Sequence, residues 1–328
     1  MIEWNPDSVA DAVVRRFVEA QSAQDTAAIL ACLDEDYVRY GEESGWLPIG
    51  KQHYQAMADN FIAAFGDFSW RLLHKVTDGD TVAFEFVESG VFCREWDLLG
   101  MKVAPNQGRY DQQTAMVCKV NEKGLIQSYS YTHDRAFMQS FSRVIAESGA
   151  IAAIPEAPEE APAPLDPVPQ PTRAVGDCSP KNAAEATVLG LAADLGRGDM
   201  DGVRRRFSDD CVWYCEEYGW APTGKTRLCE QVAGFRRAFP DHRWEIIDLL
   251  SEGDTVAVEF VETGEFSAPW QIENRTIEPN RERYRSHRVI FFEIDGDDRI
   301  SLGRAVHDGD FAQRFGPLLA SAGDGRQA

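Results

Sequence analysis

Apolar residues recur along the chain with two different periods. Val9, Val13 and Phe17 are spaced to lie on one face of a helix over residues 9–20. A second short helix is predicted from Asp25, whose carboxylate can satisfy the first free backbone N–H groups, to Leu33. Met57, Phe61 and Phe65 give residues 52–65 the same helical stripe. Between these helices, residues 37–40 read as a short strand running into a loop at 42–50. The pattern then turns to β. Strands are predicted at about 68–76, 81–92, 110–120 and 125–133, with Asp78-Gly79 as a hairpin turn, before a last helix from Asp134 that carries Phe137 and Phe141. This order is α+β. It predicts a strongly bent antiparallel sheet wrapped around helices, a cone-shaped barrel whose open, apolar end suits a small organic ligand.

The same order occurs twice. Laying residue i over residue i + 174 aligns 25–141 with 199–315 without a gap. Tyr40, Glu42, Glu43, Gly45, Trp46, Pro48, Gly50 and Lys51 return as Tyr214, Glu216, Glu217, Gly219, Trp220, Pro222, Gly224 and Lys225. Pro105, Asn106, Arg109 and Tyr110 return as Pro279, Asn280, Arg283 and Tyr284, and His133-Asp134 as His307-Asp308. Roughly a third of the aligned positions are identical, more than shared helix and strand patterning produces. The chain therefore reads as one domain at 1–147, a linker at 148–182 and a second domain at 183–328. Proline at high density in the linker, IPEAPEEAPAPLDPVPQPT, removes backbone donors and favours an extended, solvated spacer. The duplication predicts a pseudo-twofold pair within one chain, with dimerisation of whole chains left open.

Composition narrows the function. With 54 acidic against 33 basic residues the net charge is −21, which repels phosphate backbones, so no nucleic-acid partner is expected. The first ten residues hold two acids and no long apolar run, so neither a signal peptide nor a membrane span is expected and the protein is read as cytoplasmic. Seven cysteines lack paired C-x-x-C spacing, which points to reduced thiols and no metal site. No phosphate-cradling glycine loop, nucleotide fingerprint or nucleophile elbow occurs, so any chemistry is expected to need no cofactor.

Four segments carry a resemblance. The loop G-W-x-P-x-G-K, the segment A-F-x-D-x-x-W, the strand start G-D-T-V-A and the terminal H-D-x-x-F-x-Q-x-F occur in both copies. Together they resemble the SnoaL-like branch of the nuclear transport factor 2-like superfamily, over nearly the whole chain outside the linker. That superfamily includes polyketide cyclases, ketosteroid isomerases, epoxide hydrolases, dehydratases and lyases, besides proteins that only bind, so the resemblance implies a fold before a reaction. Where ketosteroid isomerases place a first-helix tyrosine, this chain has Phe17 and Leu191. Where they place their catalytic aspartate, it offers Glu42 and Glu216, one step displaced. The aspartate-proline signature of the tandem polyether epoxide-opening cyclases is missing.

Candidate chemistry centres on His133-Asp134 and His307-Asp308, because neutral imidazole exchanges protons near physiological pH and a carboxylate can orient it. Adjacent residues on a strand face opposite sides, so these aspartates read equally as N-caps of the last helix. Glu42-Glu43 and Glu216-Glu217, with Glu42 and Glu216 as the candidate acids, stand beside Trp46 and Trp220, where desolvation raises a carboxyl pKa, or else lie on a solvated loop. Tyr40 and Tyr214 share alternation with Glu42 and Glu216. Glu88 and Glu262 lie three positions after Glu85 and Glu259, so only one of each pair can face inward. Arg109 and Arg283 open a strand near the expected mouth and read either as substrate contacts or as surface ion pairs. Gln113 becomes His287, Thr114 becomes Arg288, and Tyr129 and Tyr131 become Gly303 and Ala305, so the copies are expected to hold different ligands or to divide into one working copy and one silent copy. The expected function is acid–base catalysis without a cofactor on a small, largely apolar substrate, aromatic and polyketide-like ones included: isomerisation, cyclisation, dehydration or C–C cleavage. The other reading is a protein that binds such a ligand without turning it over.

Overall fold

The structure is a computed structural model and describes residues 8–98, 101–147, 172–272 and 275–321. Most of the sequence-predicted linker lies outside the described residues. The chain divides into two compact units, Met1–Pro169 and Gln170–Ala328.

In the first unit, helices α1 (Val9–Ser22) and α2 (Thr26–Ala31) are capped by Ser8 and Asp25, each accepting a backbone N–H of the first turn. Strands β1 (Leu33–Gly41) and β2 (Ile49–Gly50) precede helix α3 (Lys51–Ala64). Then come β3 (Phe65–Asp78), β4 (Thr81–Phe92), the short hairpin β5 (Trp96–Leu98) and β6 (Met101–Val103), β7 (Arg109–Val120), β8 (Ile126–His133) and helix α4 (Ala136–Glu147). The sheet order is β2-β1-β8-β7-β4-β3, with β1 parallel to β8 and the other neighbours antiparallel.

The second unit repeats this with α5 (Ala183–Arg197), α6 (Met200–Arg206), β10 (Phe207–Cys215), β11 (Thr223–Gly224), α7 (Lys225–Ala238), β12 (Arg243–Glu252), β13 (Thr255–Glu265), the hairpin β14 (Trp270–Ile272) and β15 (Arg275–Ile277), β16 (Arg283–Ile294), β17 (Ile300–His307) and α8 (Asp310–Ser321). Ahead of it, β9 (Arg173–Ala174), inside the stretch read as linker, pairs with the edge of β12. Strand register repeats at the same offset as the sequence: Trp70 faces Glu88 and Thr114 faces His133, as Trp244 faces Glu262 and Arg288 faces His307.

Bulges in β3 and β12 bend the sheet, because an extra residue on one strand breaks the ladder locally. The turn Asp78-Gly79 and its repeat place Gly79 and Gly253 at φ of 63° and 61°, where a side chain is strained. The repeated lysines of the G-K pairs act on the backbone. Lys51 Nζ donates to the Leu33 carbonyl at 2.9 Å and Lys225 Nζ to that of Phe207 at 2.8 Å, holding the third helix to the start of the first long strand.

The cores differ where the sheet curls over the helices. In the first unit Tyr37, Tyr54 and Tyr129 are buried with ring centroids 5.5–6.0 Å apart, and Arg39 lies over Tyr131 at 4.8 Å. The aligned residues of the second unit are Cys211, Leu228, Gly303, Trp213 and Ala305. Four large side chains become smaller, and only Trp213 compensates by lying over Gly303 so closely that a Cβ there would sit 2.2 Å from the indole. Gly303→Ala should therefore destabilise the second unit by about 1–3 kcal/mol through overpacking. Urea unfolding should show this loss shrinking when Trp213→Ala is introduced as well.

Candidate active site

The smaller side chains leave the second unit with a cavity of about 670 Å³. Leu191, Leu195, Phe207, Leu228, Trp244 and Ile290 supply much of an apolar wall, and Glu217, Arg288, Glu262 and His242 gather at its polar side. These four arrive from different elements. Glu262 on β13 and Arg288 on β16 face inward by strand alternation, while His242 stands at the turn just before β12. Glu217 is the middle residue of a single 3-10 turn, Glu216–Tyr218, that ends in two left-handed residues, Gly219 and Trp220. Tryptophan at φ of 58° is an uncommon conformation, and Trp46 repeats it at 62°.

Arg288 Nε lies 2.9 Å from Glu262 Oε2 and its Nη1 3.8 Å from Glu217 Oε1. Tyr284 Oη donates to Glu262 Oε1 at 2.7 Å, and His242 Nε2 stands 3.4 Å from the same oxygen. His307 Nε2 lies 3.0 Å from Glu217 Oε1, while its Nδ1 donates to the Asp308 carbonyl at 2.8 Å. Burial alone would raise the Glu262 carboxyl, but Arg288 and then His242 and Tyr284 outweigh it and hold it at about 2. Glu217 is likewise held well below the usual carboxylate range against its own desolvation, by His307 and Arg288. Its side chain stays 41% exposed, so solvent screens part of this effect. Burial would lower His307, yet the Glu217 carboxylate raises it, so the imidazolium persists to higher pH than in a free histidine.

The first unit keeps the register and changes the chemistry. Glu88 accepts from Tyr110 Oη at 2.9 Å, Trp70 Nε1 at 3.0 Å and Tyr131 Oη at 3.2 Å. Thr114 stands where Arg288 stands, and burial pushes the Glu88 carboxyl up despite these donors. Arg39 pairs with Glu43 and stacks on Tyr131, so the volume that is hollow in the second unit holds side chains here.

The structure brings Glu262 and, behind Glu217, His307 to the cavity. The other candidates lie elsewhere. His133 is half-buried, its Nδ1 donating to the Asp134 carbonyl. Asp134 accepts from the Ala136 backbone N–H at 3.0 Å and that of Gln113 at 3.3 Å, and Asp308 from the His287 N–H and Ser286 hydroxyl at 2.9 Å, so both tie the start of the last helix to the adjoining strand. Glu42 and Glu216 open the 3-10 turns, one residue before the glutamate that reaches the arginine. Tyr214 alternates with the cavity-lining Trp213 and Cys215 and lies under Arg304 with Trp220; Tyr40 and Trp46 occupy the same places in the first unit. Arg109 and Arg283 are exposed beside Asp111 and Asp241. His287 points to the sheet face opposite Arg288 and pairs with the buried Glu259 at 2.8 Å, as Gln113 sits opposite Thr114. Sequence reasoning takes Glu217 only as the neighbour of Glu216 and does not select Arg288, His242 or Trp244. The exchange of Phe68 for His242 at one of the three variable positions of the A-F-x-D-x-x-W segment was the available signal.

Among the described residues no three His, Cys, Asp or Glu side chains converge as metal ligands, and no helix is long and apolar enough to cross a membrane. The cysteines are free, and Cys215, beside Glu217 in the cavity wall, is held above the ordinary thiol range by burial.

These shifts give stability a pH dependence with two limbs. A lowered carboxyl stabilises the fold above its ordinary value of 4.5 and ceases to as pH falls towards about 2, so acid should weaken the second unit through Glu262. A raised histidine stabilises below its ordinary 6.5 and loses that contribution as pH rises beyond it. Urea midpoints measured against pH should show Glu262→Gln flattening the acid limb and His307→Gln flattening the alkaline one.

A family model described as a SnoaL-like domain matches residues 14–129 and again 188–302. No curated protein matches the chain. Similar solved structures include AclR from Streptomyces galilaeus, at 22% identity and TM-score 0.36, over 41% of this chain and 96% of that one. BvnE pinacolase from Penicillium brevicompactum matches at 15% identity and TM-score 0.36, over 45% and 97%. PrhC from Penicillium brasilianum matches at 15% and 0.36, over 43% and 91%. With both segments matched, the α+β cones are two tandem copies of one domain, and the chain belongs to the SnoaL-like domain family.

Proposed function

We propose that the second copy is the working site of an acid–base enzyme that needs no cofactor and acts on a small, largely apolar substrate. One observation carries this reading: a guanidinium set between two carboxylates, each with an imidazole behind it, at one side of an apolar cavity of about 670 Å³. Such a cavity suits a ligand of one to a few rings. Glu262 with His242, both buried, and Glu217 with His307, at the more solvent-exposed edge, are paired groups able to take a proton at one point of a substrate and return it at another. Isomerisation, cyclisation, dehydration and retro-aldol cleavage all draw on that capacity. The first copy, with its cup filled by tyrosines, is the non-catalytic one.

Ala305→Tyr restores the side chain that the first copy carries at the aligned place, Tyr131, and should fill the cavity while leaving the fold intact. In a thermal-shift screen of two-ring ketones and phenols, ligands that stabilise the wild type should stop doing so in this variant. Tyr131→Ala in the first copy should leave their effect unchanged. For a compound that is turned over, His307→Gln should lower kcat about tenfold or more with little change in affinity. A protein that only binds would show no turnover with any ligand that fills the site.

A further inference from the structure

Three buried polar atoms of residues that line the cavity have no hydrogen-bond partner: His242 Nδ1, Trp244 Nε1 and Gln231 Oε1. His242 is 4% exposed and Trp244 8%, so neither group meets bulk water. Leaving a buried donor or acceptor unpaired costs about 1–3 kcal/mol. The first copy does not bear this cost: Trp70 Nε1 donates to Glu88, and Phe68 stands in the place of His242. The difference traces to Arg288. With Arg288 on Oε2 and Tyr284 and His242 on Oε1, Glu262 no longer accepts from the tryptophan above it, and the indole N–H of this cavity-lining residue is left without an acceptor.

The same carboxylate fixes the imidazole. Glu262 is ionised and can only accept, so the proton of a neutral His242 belongs on Nε2, 3.4 Å away, and Nδ1 is left with an unpaired lone pair on a ring that lines the cavity. Phe235 meets the ring edge-to-face at 5.3 Å and limits its rotation.

Building on the reading of the second copy as the working site, we propose that His242 Nδ1 is its proton acceptor, that Glu262 is the positioning residue that sets the tautomer, and that Trp244 Nε1–H receives the oxygen on which charge develops. The ligand is then an apolar ring compound with an acidic hydroxyl or an enolisable ketone. In the step this implies, a proton leaves the hydroxyl, or the carbon next to the carbonyl, for Nδ1. The bonding pair remains on the ligand as a phenolate or enolate oxygen hydrogen-bonded to Trp244, and the new imidazolium rests against Glu262. Gln231 Oε1 offers an acceptor for a second hydroxyl.

The full chain can be tested with 4-nitrophenol, whose phenolate is yellow and whose neutral form is not. Below the probe's own pKa, wild-type protein should bind it with an ionised fraction well above that in free solution. His242→Phe, which introduces the residue found in the first copy, should bind the neutral probe comparably and cut the bound phenolate fraction about tenfold or more. Trp244→Phe should lower that fraction too. Nitrogen-15 shifts of the wild type should show His242 as the Nε2–H tautomer, and Glu262→Gln should mix the two tautomers. A bound probe that stays neutral, an ionised fraction unchanged in His242→Phe, or an Nδ1–H tautomer in the wild type would each overturn this assignment while leaving the cavity as a binding site. A probe that the wild type binds no better than Ala305→Tyr would instead remove the reading of the cavity as a site, and this inference with it.

Discussion

A guanidinium between two carboxylates governs the second copy. Glu262 and Glu217 converge on one end of a cavity, where a lone ionised carboxyl would be strongly disfavoured. Arg288, with a side chain 12% exposed, lies against both and makes their ionisation tolerable. Further effects follow from this one residue. Glu262 stays a carboxylate and can orient an imidazole, Glu217 stays a carboxylate and can hold a second imidazole charged, and Trp244 is freed from the glutamate that its counterpart binds in the first copy. Where threonine replaces that arginine, at Thr114, the equivalent glutamate is instead surrounded by neutral donors and its acidity falls.

Much of the fold was legible because both of its determinants are periodic. Helical stripes such as Val13 with Phe17, strand alternation, and the constant offset between copies each constrain many residues at once, and the register of every long strand pair follows the same offset. The alternation argument also separated Glu262 from Glu259, one facing the cavity and the other His287 across the sheet. The hairpin from Trp96 to Val103 escaped notice because each of its strands has three residues, too few for a pattern to show.

The site was less legible, for three physical reasons. Glu217 sits on a 3-10 turn, where the two-residue period of a strand no longer says which of two consecutive glutamates, Glu216 or Glu217, turns inward. His242 occupies a turn ahead of β12, outside any periodic segment. The cavity itself owes its volume to replacements such as Leu228 and Ala305, which look unremarkable one at a time and come from a helix and a strand far apart in sequence. Volume is a property of the assembled fold, and no single position announces it.

The filled cup of the first copy has a practical consequence. Because strand register is preserved at a fixed offset, the chain carries beside the residues of the proposed site an aligned set of different ones already accommodated by the same scaffold: phenylalanine for His242, threonine for Arg288, tyrosine for Ala305. Exchanging residues between the two halves thus gives a natural series of matched controls, in which chemistry can be subtracted from one cone or introduced into the other without inventing an unfamiliar local environment.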